Sequence, residues 1–135
     1  MEQAAVTAVA LYAGLLALVG IWLALHVGRL RGQLRIFIGD GGHPRMIRAM
    51  RGQANFVESV PMALLLMLLA ALLGAPVWLL HAGGIALVAG RILHGMHFMA
   101  EDAPRWQRAA GAGLTMLVLA LGGIGVAAHA LARMF

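Results

Sequence analysis

Residues Ala4 to Val27 read AAVTAVALYAGLLALVGIWLALHV, an apolar run without a single Asp, Glu, Lys or Arg. As a helix rising 1.5 Å per residue, it is long enough to cross a hydrocarbon core of about 30 Å. It exceeds the core of a signal peptide, and Met1-Glu2-Gln3 ahead of it is acidic rather than basic. The reading is therefore a first transmembrane span. A polar, Gly-rich stretch follows from Gly28 to His43, with Arg29, Arg31, Arg35 and the turn Gly39-Asp40-Gly41-Gly42. Pro44 suits the first position of a second helix, where its missing N–H costs nothing. That helix carries Arg45, Arg48 and Arg51, enters the membrane and runs to about Leu73. Gly74-Ala75-Pro76 makes a tight hairpin into a third span, Val77 to about Met99. Glu101-Asp102-Ala103-Pro104-Arg105 breaks it, and a fourth span covers approximately Arg108 to Ala132.

The expected fold is one all-α domain over residues 1–135. It is a bundle of four transmembrane helices with spans near 4–27, 46–73, 77–99 and 108–132. Composition agrees: 62% of residues are hydrophobic and 11% charged, and five acids with ten basic residues cannot coat a soluble domain. There is no cysteine, which excludes disulfides, thiolate metal sites and a protein-borne thiol nucleophile. All ten basic residues are arginine, the side chain suited to forked recognition of carboxylate or phosphate. With the abundant Ala, Gly and Leu, this points to a GC-rich bacterial gene. The pI near 11.6 does not signal nucleic acid, because the arginines flank apolar spans and no soluble basic domain exists.

Nine of the ten arginines lie in or beside the first-to-second and third-to-fourth connections, which share one side of the membrane. The positive-inside rule makes that side cytoplasmic and puts both termini in the periplasm. Trp78 and Trp106 fall at opposite interfaces, and Trp22 lies deeper. Ala82, Ala86 and Gly90 recur every four residues on the third span, and Gly122, Gly123 and Gly125 interrupt the fourth. Small residues let helices approach closely in lipid, within one bundle or between copies.

The informative polar stretch is Arg48-Ala-Met-Arg51-Gly-Gln-Ala-Asn55-Phe-Val-Glu58-Ser-Val-Pro61. At 100° per residue, Arg48, Arg51, Asn55 and Glu58 fall within about 80° of arc. Glu58 lies fifteen residues from Leu73, and Arg91 fifteen from Pro76, so each stands about 22 Å from the hairpin end. The matching depth makes Arg91 the natural partner of Glu58, with His94 and Phe98 following on the same face. Ionisable groups so placed pair with one another and usually mark a site. One carboxylate cannot satisfy Arg51, Arg91 and the nearby Arg48, so an anionic ligand would balance the excess. The alternative is a structural Glu58–Arg91 pair that only sets helix register. Arg29, Arg31 and Arg35 also serve as orientation determinants or lipid-headgroup contacts, while His26, His81 and His129 read as packing or interface residues. Histidine spacing shows no metal cluster.

Arg51-x-x-x-Asn55-x-x-Glu58-x-x-Pro61 at the start of a second span resembles the signature of the MAPEG superfamily, the membrane-associated proteins in eicosanoid and glutathione metabolism. The four-span layout, the Arg-rich first connection and Arg91-Ile-Leu-His94 agree. Arg29-Leu-Arg31 and Gly39-Asp40-Gly41-Gly42 look most like the bacterial inner-membrane branch. The resemblance implies a homotrimer that binds glutathione between subunits near the cytoplasmic face. It implies that Arg51 holds a glutathione carboxylate, Asn55 the peptide and Glu58 the ammonium. Arg91 and His94 would complete the wall, with Arg48 and Gln53 nearby and Arg29 or Arg31 approaching from the first helix. Arg105 or Arg108 would lower the thiol pKa. The thiolate would then attack a lipophilic electrophile or reduce a lipid hydroperoxide drawn from the bilayer. Several members carry a tyrosine where this chain has Phe98, and the only tyrosine, Tyr12, lies near the opposite surface. Two other readings remain open: a small membrane transporter, and a non-catalytic lipid-binding or scaffold subunit. An exporter of cations is disfavoured, because the acid sits shallowly among arginines.

Overall fold

The computed structural model describes residues 2–135; Met1 and the side chain of Glu2, part of the acidic start, lie outside that description. Four helices make up the fold: α1 (Glu2–Leu34), α2 (Pro44–Leu72), α3 (Val77–Met99) and α4 (Arg105–Met134). Each is long and apolar enough to cross a membrane, and no strand forms among the described residues. α1 packs on α2 and α3, α4 packs on the same two, and among the described residues α1 does not pack against α4. The bundle is thus a lozenge with α2 and α3 meeting across its short diagonal.

Glycine sets how closely the helices approach. A Cβ on Gly111 of α4 would stand 2.5 Å from the Gly90 carbonyl oxygen and 2.8 Å from the His94 backbone nitrogen. Only bare backbones fit at that crossing. Toward the hairpin end, Gly84 of α3 leaves the space that the ring of Tyr12 occupies. Tyr12 Oη shares a 2.8 Å hydrogen bond with His81 Nδ1, tying α1 to α3. The apolar core between these levels is built from Leu16, Val60, Ala63, Met67, Leu87 and Val118 among others.

The third helix begins and ends where Pro76 and the acidic break place it. The first does not. The polar, Gly-rich stretch that follows the span expected to end near Val27 stays helical to Leu34. Val27, Leu30 and Leu34 form a stripe at helical spacing that packs with Met46 and Ala49 into a second small core above the span. Gly28 and Gly32 point to open space there, and burial of the stripe offsets their weak helix propensity.

The connection after α1 is held by Arg31, whose Nη1 donates to the carbonyls of Ile36 (3.1 Å) and Gly39 (2.8 Å). Arg35, Gly39, Gly41 and Gly42 have positive φ, and Asp40 accepts from the Gly42 amide at 2.8 Å. The loop is a built structure.

Candidate functional site

The polar residues gather at the arginine-rich end, between α2, α3 and α4. Arg91 is at their centre and is 1% exposed. Its Nη1 donates to Ser59 Oγ and Thr115 Oγ1, both at 3.3 Å. Its Nη2 donates to Asn55 Oδ1 and His94 Nδ1, both at 2.9 Å. A guanidinium can only donate, so His94 accepts at Nδ1 and carries its proton on Nε2. The two hydroxyls are aimed by their own helices. Ser59 donates to the Asn55 carbonyl at 2.6 Å and Thr115 to the Gly111 carbonyl at 2.8 Å, leaving lone pairs for Arg91. Arg91 Nε is buried without a partner.

This arrangement overturns the expected Glu58–Arg91 pair. The depth argument holds, but the rotation of α2 decides the outcome. Taking Asn55 as zero, Ser59 stands about 40° to one side and Glu58 about 60° to the other. α2 turns the Asn55–Ser59 sector toward Arg91, so Glu58 lies on the outer face of the bundle. There Glu58 Oε1 is 3.7 Å from Arg51 Nη1, with both side chains more than half exposed. The buried cation is therefore surrounded by neutral acceptors, and the acid is spent on Arg51.

The remaining arginines divide by task. Arg48 Nη2 donates to the carbonyls of His97 (2.7 Å) and Ala100 (3.2 Å), placing a positive charge at the C-terminus of α3 where the helix dipole favours it. Arg45 pairs with Glu101 at 2.7 Å in an exposed position. Arg31 is committed to its loop, while Arg29 and Arg105 are exposed and Gln53 is half-buried. Arg108 reaches Phe98, its guanidinium carbon 5.8 Å from the ring centroid, and Arg48 approaches the same ring at 5.7 Å. His94 packs on that ring at 4.7 Å. Phe98 is seated against Gly52, where a Cβ would come within 2.7 Å of it.

Arg48, His94 and Arg108 thus converge around Phe98, Asn55 and Arg91 adjoin them with Arg91 5.9 Å from the Phe56 ring centroid, and Arg51 and Glu58 lie on the outer face. Arg29, Arg31 and Arg105 stand apart from that cluster in the single chain. Three participants escaped the sequence reading. Ser59 was masked by the acid beside it, and Thr115 is a lone hydroxyl in the apolar middle of α4. His97, about 120° around α3 from Arg91, is buried, with Nδ1 donating to the Pro104 carbonyl at 3.2 Å across the α3–α4 corner.

Chemically, the cluster presents fixed positive charge next to a carboxylate–guanidinium pair. It can receive a zwitterion carrying more negative than positive groups. Among the described residues, no group of three or more His, Asp or Glu side chains could hold a metal ion.

The model of the MAPEG family matches residues 9–128 of the chain. The chain is also 41% identical over 117 residues to the inner membrane protein YecN of Escherichia coli strain K12, covering 82% of this chain and 87% of that protein. The same figures hold for inner membrane protein YecN of E. coli O6:H1 strain CFT073. With its four apolar helices, this relationship makes the chain a multi-pass protein of a bacterial inner membrane. An all-helical fold of four spans, a charged motif opening the second, and a match over most of its length together assign the chain to the MAPEG family.

Proposed function

We propose that the protein binds glutathione between the subunits of a homotrimer at its arginine-rich end, as a glutathione transferase or peroxidase for lipophilic electrophiles. The observation that carries this reading is the outward Arg51–Glu58 pair. Glu58 lies roughly 8 Å inside the hydrocarbon boundary by helix rise. A charged pair facing lipid at that depth is costly, so a neighbouring copy is the cover that suits it. In such an assembly the pair lines the interface, and the buried Arg91 cluster stands behind it, fixing the face of α2 that carries them.

Glutathione has two carboxylates, one ammonium and a thiol. Arg51 and the positive cluster suit the carboxylates, Glu58 the ammonium, and the Asn55 amide the peptide. Arg108, beside Phe98 on the opposite wall, is the better placed of the two candidate guanidiniums to favour the thiolate; Arg105 is farther out. Supplied with that thiolate, the bilayer would deliver the apolar second substrate. By the arginine bias, the site end is cytoplasmic and both termini are periplasmic.

Titration of purified protein with glutathione, following heat and the ultraviolet absorbance of the thiolate, tests this. Arg51→Ala is expected to weaken binding at least about tenfold, the loss of one charge-assisted contact. Glu58→Gln should weaken it several-fold, and Arg133→Ala at the far end should not. Wild-type protein without binding would end the glutathione reading. A second reading has a specific observation behind it: Phe98 offers no hydroxyl at the position where the family resemblance implies a tyrosine. Binding without a thiolate signal would fit that scaffold or carrier role.

A further inference from the structure

A cavity of about 450 Å³ lies at the opposite end of the bundle, away from every residue of the polar site. It arises because α4 is gripped only over its first half. The buried residues of α4 are Gly111, Thr115 and Val118, and beyond Val118 it has none. There α4 stands off from α3, with α2 as the floor and the Gly74–Pro76 hairpin at one end. The glycines are informative. A Cβ on Gly125 would meet nothing within 4 Å, and one on Gly83 would touch only the terminal methyl of Met67 at 3.9 Å. Both line the cavity, so they leave room instead of bringing backbones together.

The walls are apolar, with Leu66, Leu79 and Leu121 typical, and His129 is the one lining residue with an ionisable side chain. Arg133 follows one turn later on the same face of α4, and both side chains are exposed. The His129 imidazole thus lies at the mouth, with the Arg133 charge one turn beyond it. From Leu117 to His129, the α4 wall is about 18 Å long, close to the ~15 Å depth of one leaflet. The volume is in the range of small-molecule sites. An apolar cavity of this kind excludes water and takes apolar guests.

We infer that this cleft binds a single-chain anionic amphiphile, a long-chain fatty acid. Its alkyl chain runs past Gly125 and Gly83, and its carboxylate meets His129 and Arg133. The Arg133 charge beyond the mouth selects an anionic head, and one cleft of one-leaflet depth takes one chain. The site is independent of glutathione, since the two share no residue.

The test uses the full chain in nanodiscs with palmitate bearing a diazirine near its chain end, the crosslinked peptides being mapped by mass spectrometry. Label is expected on segments 66–73 and 117–126, displaced by excess palmitate. Gly125→Leu, which fills the cleft, should reduce that labelling about tenfold. Helical circular dichroism and gel-filtration behaviour serve as folding controls; Gly83→Leu is the second filler. Removing both basic groups (His129→Ala with Arg133→Ala) should weaken competition by palmitate several-fold and leave competition by hexadecanol unchanged. Label spread evenly over lipid-facing positions such as Leu11 and Leu18, and insensitive to folded filling variants, would overturn the inference. So would competition by diacyl phosphatidylethanolamine equal to that by palmitate, or a crosslink showing a second copy seated in the cleft.

Discussion

Arg91→Ala is expected to lower the melting temperature of the detergent-solubilised protein by roughly 10 °C or more. The substitution removes a fully buried side chain and leaves a cavity between three helices, a change that costs about 2–5 kcal/mol for large apolar residues. It also deprives Asn55 Oδ1, His94 Nδ1 and two hydroxyls of their common donor, each buried group losing about 1 kcal/mol or more. The hydroxyls are the least affected, because their own protons stay bonded to the Asn55 and Gly111 carbonyls. Arg91→Lys should recover only part of the loss, since an ammonium cannot span acceptors on α2, α3 and α4 together. Arg105→Ala, at an exposed position, is the control and should stay within ~0.5 kcal/mol of wild type. A melting temperature for Arg91→Ala within 2–3 °C of wild type, about the effect of 1 kcal/mol or less, would show that the cluster does not hold the bundle together.

Two glycines only two positions apart on α4 should respond in opposite directions. Gly111→Ala places a methyl against the Gly90 carbonyl and the His94 backbone, which no side-chain rotation can relieve. Overpacking of this sort costs about 1–3 kcal/mol, and the displaced α4 would carry Thr115 away from Arg91. Gly113→Ala meets nothing within 4 Å and sits inside the helix. It should be neutral or stabilise by up to ~1 kcal/mol, through helix propensity and a less mobile unfolded chain. Thermal melts of the two variants in the same detergent decide the matter. Equal effects would mean that the α3–α4 crossing is looser than its geometry.

Hydropathy and punctuation made the architecture legible. Val77–Met99 could be read to its ends because Pro76 and the acidic break leave no latitude. Periodicity was harder to see where polarity was high. Five glycines and three arginines within residues 28–43 look like loop, yet the spacing of Val27, Leu30 and Leu34 already outlines a buried stripe. For the site, depth along the helix could be computed from residue counts, and Glu58 and Arg91 do stand level. Rotation could not, because it depends on which face of α2 meets α3, and that is set by packing among Gly52, Ala63, Phe98 and Leu87. A turn of some 80° is all that separates a carboxylate beside Arg91 from the hydroxyl and amide found there. The small residues likewise carry two meanings. Gly90 and Gly111 make the close crossing that such residues announce, whereas Gly125 lines open space.

The neutral shell around Arg91 also bears on how the chain is made. A lone guanidinium in a helix entering the bilayer opposes insertion by about 2.5–3.5 kcal/mol near the centre, and α3 is the least apolar of the four spans. Two of its acceptors, Asn55 and Ser59, belong to the helix synthesised just before, across a hairpin of a few residues. A third, His94, travels on α3 itself. The α2–α3 hairpin thus carries three of the four acceptors of its own guanidinium, and only Thr115 comes from the later helix α4.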